Sequence, residues 1–218
     1  MPERKIEDLL REKYFDYLPE ICRAVWQLET EIRHLTLPIK RSLVHYEQLV
    51  VKSRVKECES ALKTLRSKEE GNTFDPEKAE HYSILNLRDL AGVRVLVFPR
   101  GRLLEADQIL REYEPFKNWN SDPIKDAGGT ELASTYHGFF QEDGGKVCAE
   151  YQVVPMLIGL FWEVEHSAMY KPIGWAKGIE NDPEMRNLRT GVESSLSHFE
   201  EEFERFVKRN SLPPSAEF

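Results

Sequence analysis

Little in this 218-residue chain points to covalent or metal cross-links. Its three cysteines, Cys22, Cys58 and Cys148, stand far apart, with no CxxC and no Cys/His ligand spacing. An odd, scattered set argues against a disulfide framework and against structural zinc, and reads as reduced, partly buried thiols. Long apolar runs are missing too. The longest, Pro155 to Trp162, falls far short of the roughly 20 residues that a spanning helix needs. The opening MPERKIEDLL is charged and helical, unlike an export leader, so the expected location is cytoplasmic, with no membrane partner. Positive charge is in deficit: 30 Lys and Arg against 38 Asp and Glu give a net charge of −8. That disfavours a dedicated nucleic-acid binder. A polyphosphate site would have to show as a local cluster of cations. Internal repeats and low-complexity stretches are also absent.

What is present alternates helical and strand patterns. Residues 3–34 carry a helical period, with Ile21, Val25, Leu28 and Ile32 at i, i+4, i+7 and i+11 and Pro19 as a helix start. Pro38 interrupts, and a second helical stretch is expected from Ile39 to Val51. A third helix is expected over Glu59–Lys68, then a loop, Glu69–Pro76. The run GVRVLVF, Gly92–Phe98, is a buried strand by its β-branched content and its bounds. Arg102–Glu112 reads as a helix whose apolar side is Leu103, Leu104, Ala106, Ile109 and Leu110. Residues 114–131 read as a long loop, which in a compact domain is usually functional or mobile. Tyr136–Gln141 and Lys146–Val154 flank Asp143-Gly144-Gly145, a hairpin signal. On the second hairpin strand Val147, Ala149, Tyr151 and Val153 face one way, and Cys148, Glu150 and Gln152 the other. A helix is expected over Met156–Tyr170 and a linker over Pro172–Pro183. The last helix, Pro183–Arg209, puts Leu188, Val192, Leu196, Phe199, Phe203 and Phe206 on one stripe opposite an acidic face. The sum is an α+β fold: a mixed sheet packed by helices, with a helical stretch at each end.

Four clusters carry candidate chemistry. Ser53, Arg54, Lys56, Ser60, Lys63, Arg66 and Lys68 gather cations in an otherwise acidic chain, as a polyphosphate site or as a solvated helix face. In Leu87-Arg88-Asp89-Leu90-Ala91-Gly92-Val93-Arg94, an Arg inside an apolar strand needs an anionic or aromatic partner, which could be Asp89 itself. Glu150 sits in mid-strand, where a carboxylate is disfavoured unless that face lines a cleft or holds a metal. Asp89 and Glu150 on neighbouring strands would make a two-carboxylate Mg²⁺ site completed by substrate phosphates. The fourth cluster runs from Phe161 to Lys171, where Glu165 and His166 could reach a cleft while Phe161 and Trp162 belong to the core.

Taken in order, R-x-K-x-x-x-S, D-L-A-G-V-R-V, A-E-x-Q and F-W-x-x-E-H-S-x-x-Y-K resemble the RelA/SpoT synthetase domain, and within it the small alarmone synthetases. The match spans residues 50–172. No His-Asp dipeptide occurs, so the hydrolase half of the long members has no counterpart. The resemblance implies one synthetase domain: a helical part over 1–50, a catalytic core over 51–172 and a C-terminal helix over 183–210. It implies a nucleotidyltransferase-like sheet, ATP as pyrophosphate donor, Mg²⁺ as cofactor and GDP or GTP as acceptor. Arg54 and Arg94 would sandwich the adenine. Lys56, with Arg66 or Lys68, would hold the triphosphate. Asp89 and Glu150 would bind Mg²⁺, and Glu150 would assist deprotonation of the attacking 3′-hydroxyl. His137, Gln152 and Glu165 would place the acceptor. Tyr136 is a further acceptor candidate, although strand alternation turns it away from His137.

The resemblance fails on the acceptor side. The family's G-Y-x-S-x-H reads Leu132-Ala133-Ser134-Thr135-Tyr136-His137 here, so Ala133 stands where a Tyr stacks on the acceptor base. Its Q-I-R-T reads Gln152-Val153-Val154-Pro155, without the Arg, and its Lys after Ser60 falls at Thr64. The donor side is kept and the acceptor side altered. The expected activity is transfer of the β,γ-pyrophosphate of ATP to the 3′-hydroxyl of GDP or GTP, giving (p)ppGpp, the alarmone of the stringent response. Two alternatives stay open: pyrophosphorylation of a tRNA 3′ end or of an adenine nucleotide, and a nucleotide sensor without turnover. The terminal helices could join copies into a homo-oligomer, or the phenylalanine stripe could pack on its own domain.

Overall fold

The computed structural model describes residues 5–125, 129, 131–142, 145–167 and 182–210. Its centre is a five-stranded sheet in the order β1-β2-β5-β4-β3. The strands are β1 (Gln48–Val55), β2 (Ala91–Phe98), β3 (Asn120–Lys125), β4 (Glu131–Glu142) and β5 (Gly145–Pro155). Only the central β2–β5 pair is parallel. The helices are α1 (Ile6–Ser42), α2 (Cys58–Arg66), α3 (Leu103–Glu112), α4 (Met156–Glu165) and α5 (Pro183–Asn210).

Strand alternation divides the side chains between two faces. Val93, Val95, Val97, Val147, Ala149, Tyr151, Val153 and Tyr136 join Ile21, Leu28 and Ile32 of α1 and Ala106 and Leu110 of α3 in the main core. The other face carries Gly92, Arg94, Leu96, Glu150, Gln152 and Val154. At one end of that face Leu96, Ala133, Val154 and Ile158 form a smaller core, against which Trp162 of α4 and Leu196 of α5 pack. The rest of the face stays open, and the charged residues gather there.

Several sequence expectations are corrected. Pro19 and Pro38 both lie inside α1, which runs unbroken to Ser42. A proline removes one helical N–H, but burial of Ile39 against the core holds the last turns in place. The second helix expected over Ile39–Val51 is replaced by the end of α1 and the start of β1, where Leu49 and Val51 are buried at a period of two. The loop expected over 114–131 contains β3, an edge strand that accommodates Pro123 and is exposed along nearly its whole length. Leu104 points to solvent rather than into the core.

The stripe expected on α5 is largely outward. Leu188, Phe199 and Phe206 are exposed, while Phe203 packs against Tyr46 and Phe98. The residues α5 buries most are two glutamates. Each meets a donor on α4: Trp162 Nε1 donates to Glu193 Oε1 at 2.7 Å, and the backbone N–H of Leu157, in the first turn of α4, donates to Glu200 Oε1 at 3.3 Å. First-turn N–H groups lack intrahelical acceptors, so a carboxylate there replaces water. No helix among the described residues is long and apolar enough to cross a membrane. The hairpin pairs in register to Glu142–Gly145. Its residues 143 and 144, the expected helical positions 168–170, and most of the expected linker lie outside the described residues.

Candidate functional site

Register builds the site. One row across the sheet reads Arg54 (β1), Gly92 (β2), Glu150 (β5), His137 (β4) and Asn120 (β3). The next reads Lys52, Arg94, Gln152, Thr135 and Asp122. Because Gly92 has no side chain, Arg54 lies across β2 and reaches Glu150. A Cβ on Gly92 would stand 3.2 Å from Arg54 Cγ and Nε. Arg54 Nη2 donates to Glu150 Oε1 at 3.0 Å and lies 3.8 Å from Asp89 Oδ2. Lys56 Nζ donates to Asp89 Oδ2 at 2.6 Å. Glu150 is 6% exposed, so its charge depends on these cations and on the cleft's contents.

Arg94 does not pair with Asp89, the partner that the sequence offered as one option. Its Nε donates to Gln152 Oε1 at 2.9 Å, and its guanidinium lies 6.0 Å from the Trp162 ring centroid. Burial, followed by the nearby charge of Arg54, lowers its pKa from the ordinary arginine value. Gln152 Nε2 in turn lies 3.5 Å from Glu150 Oε1. A cleft of about 510 Å³ opens over these groups, lined also by Glu163, Glu165 and Arg189. Burial raises the Glu165 carboxyl above the usual carboxylate range, against the pull of Arg189, which it meets at 3.1 Å.

The structure thus brings together Arg54, Lys56, Asp89, Arg94, Glu150 and Gln152, with Glu165 also lining the cleft and His137 beside Glu150. Three candidates are not brought in. Tyr136 faces the main core, stacked on Tyr151 at 4.6 Å with its hydroxyl donating to Asp107 at 2.7 Å, because it lies one residue from His137 on a strand. Arg66 turns to Glu7, at 3.1 Å, and Lys68 is exposed beyond the end of α2; neither lines the cleft. Sequence reasoning missed Lys52, which reaches Glu163 at 2.6 Å, and Arg189. Lys52 is two residues before Arg54, a spacing that reveals a shared face once β1 is recognised as a strand. Arg189 had no local signal, because its place is set by how α5 docks.

The fit of Mg²⁺ can be judged from the two carboxylates. Asp89 and Glu150 both face one cationic nitrogen of Arg54. Among the described residues no three His, Cys, Asp or Glu side chains converge. Two carboxylates without a third suit Mg²⁺, which takes its remaining ligands from water and substrate phosphates.

No protein-family model matches the chain, and no curated protein does. Solved structures do. Small alarmone synthetase 1 from Bacillus subtilis bound to its product pppGpp superposes with a TM-score of 0.67 at 17% identity, covering 92% of this chain and all of that one. The same enzyme bound to AMPCPP gives 0.60 at 17% identity, with 90% and 99% covered. A GTP pyrophosphokinase family protein from Streptococcus pneumoniae gives 0.59 at 20% identity, with 90% and 93% covered. Over nine-tenths of its length, this chain has the fold of the small alarmone synthetases.

Proposed function

We propose that the protein transfers the β,γ-pyrophosphate of ATP to a ribose hydroxyl of an acceptor nucleotide. One observation carries the reading: Asp89 and Glu150 converge on a single cation, Arg54, with Lys56 on Asp89 and Arg94 and Lys52 in the adjoining cleft. An acidic chain has concentrated cations around two carboxylates, as a metal–polyphosphate complex requires. The neighbours bound to AMPCPP and pppGpp support the same reading.

In this reading Arg54 and Arg94 flank the adenine, and Trp162 backs Arg94. Arg54 leaves the carboxylates when the donor enters. Lys56 holds the phosphates beside Asp89. Mg²⁺, held by Asp89, Glu150 and the phosphates, would offset charge at the transferring phosphoryl group. The acceptor hydroxyl oxygen attacks the β-phosphorus, and the bond to the α,β-bridging oxygen breaks. AMP leaves with that electron pair, and the hydroxyl proton passes to Glu150 and then to solvent. The residues mainly supply positioning and preorganised charge, which dominate phosphoryl-type transfer. GDP or GTP is the acceptor offered by the resemblance; His137, beside Glu150 Oε2, is the candidate to orient it.

The test is transfer of label from γ-labelled ATP with Mg²⁺ to GDP, GTP, ADP, ATP or bulk tRNA, each offered separately. Glu150→Gln is expected to cut the rate at least about a hundredfold while the fold is retained. Absence of transfer to every acceptor by the wild-type protein, with ATP bound, would leave a nucleotide sensor.

A further inference from the structure

The position that stacks on the acceptor base in the resembling family is closed here. Ala133 is fully buried among Leu96, Val154 and Ile158, beneath α4 and α5. An acceptor must therefore approach Glu150 from elsewhere. Its two carboxylate oxygens have different neighbours. Oε1 faces Arg54 and the donor cleft, at 3.0 Å. Oε2 faces His137 Nδ1, at 3.8 Å, on the other side.

Beyond His137 lies a second hollow of about 640 Å³, within the size range of small-molecule sites. The strands β4 and β5 form its floor. Its walls come from the loop before β2 and the turn into β3, which are far apart in sequence. Phe139 presents an exposed ring there, beside the buried Trp119. Asn118 and Asn120 bring amides that both donate and accept, as the edge of a base requires. Arg88, next to Asp89, adds an exposed cation for a phosphate. His137 Nδ1 is buried and has no hydrogen-bond partner. It faces Glu150 Oε2 at 3.8 Å, so His137 stands as the partition between the hollow and that carboxylate.

We propose that this hollow binds the acceptor, a free nucleoside di- or triphosphate. Its base lies against Phe139 and is read by Asn118 and Asn120. Its phosphates meet Arg88, and its ribose hydroxyl points past His137 to Glu150. The inference rests on the transfer reading and deepens it. The two substrates then enter from opposite sides of one carboxylate, which suits in-line attack on the β-phosphorus. A free nucleotide fits better than an RNA end, because the chain's net charge of −8 opposes a long phosphate backbone.

The experiment compares Asn118→Ala and Phe139→Ala with the wild-type protein in two assays. In the first, steady-state transfer is measured against the best of GDP, GTP and ADP. Acceptor KM should rise about tenfold or more in each variant while the KM for ATP stays within about twofold. Unchanged acceptor KM in both variants, or an equal rise for ATP, overturns the hollow but leaves the transfer reading intact. In the second, GDP, GTP and ADP are titrated calorimetrically without donor. Should the wild-type protein transfer nothing, binding that both variants lose keeps the hollow and discards the transfer reading. Binding that the variants retain, no nucleotide binding at all, or transfer to tRNA alone overturns the proposal.

Discussion

Ala133 stands where the resembling family carries a Tyr. It is 0% exposed and packed by Leu96, Val154 and Ile158, with no room for a ring. Restoring the family's residue should therefore not restore the family's acceptor site. Ala133→Tyr is expected to overpack this smaller core and destabilise the protein by about 1–3 kcal/mol, read from the midpoint of urea unfolding. It is also expected to leave acceptor KM no lower than in the wild-type protein. A stable variant with tighter acceptor binding would show that the position is open in solution. At this scale the sequence named six residues that the fold brings together: Arg54, Lys56, Arg94, Asp89 and Glu150 for donor and metal, and Gln152 for the acceptor. It was a poor guide wherever a side chain's direction depended on a distant element. Arg66 found Glu7 on α1, and Arg189 entered the cleft from α5; no local pattern announces either contact.

Elements were legible where burial imposes a period and illegible where it does not. β2 and the hairpin strands are buried on at least one face, so their patterns matched the structure. β3 is an exposed edge with a proline, and its pattern is that of a loop. β1 is hidden in the sequence because Leu49 and Val51 also fit a helix that resumes after Pro38. α5 misled for another reason. Its apolar stripe suggested a hydrophobic inner face, whereas Glu193 and Glu200 are held by donors on α4. This gives the α5 contact a pH dependence. Burial pushes the Glu200 carboxyl up to about 7, against the Leu157 N–H and the charge of Arg100, with Glu204 adding to the rise. The unfolded chain has an ordinary value near ~4.3. Between the two the native state binds more protons, so stability falls as pH rises through that window and levels off above it. Glu200→Gln keeps the acceptor for Leu157 and removes the charge. It should be more stable than the wild-type protein at pH 8, by up to about 3 kcal/mol, and nearly equal at pH 4.5, by urea unfolding at both values. Greater stability of the wild type at pH 8 would mean that Arg100 holds Glu200 ionised.

At the scale of the whole molecule the charge distribution is the informative property. An acidic chain of net charge −8 repels a triphosphate at long range, yet Lys52, Arg54, Lys56 and Arg94 form a local field around Asp89 and Glu150. Those cations are at present partly spent on the two carboxylates and on Glu163. ATP alone would have to take them away and leave Asp89 and Glu150 facing its phosphates with nothing between. ATP with Mg²⁺ exchanges the same cations without that cost, because the metal satisfies both carboxylates. Binding to the folded state alone raises stability in proportion to the logarithm of saturation, about 2.7 kcal/mol at a hundred times Kd. For a chain of this length that corresponds to a rise in Tm of about 5–10 °C with MgATP. ATP in EDTA at the same concentration should give a clearly smaller rise. In Glu150→Gln the difference between the two should shrink, since one of the carboxylates that makes the metal necessary has lost its charge. Equal shifts with and without Mg²⁺ in the wild-type protein would place the phosphates away from Asp89 and Glu150, and with them the transfer chemistry.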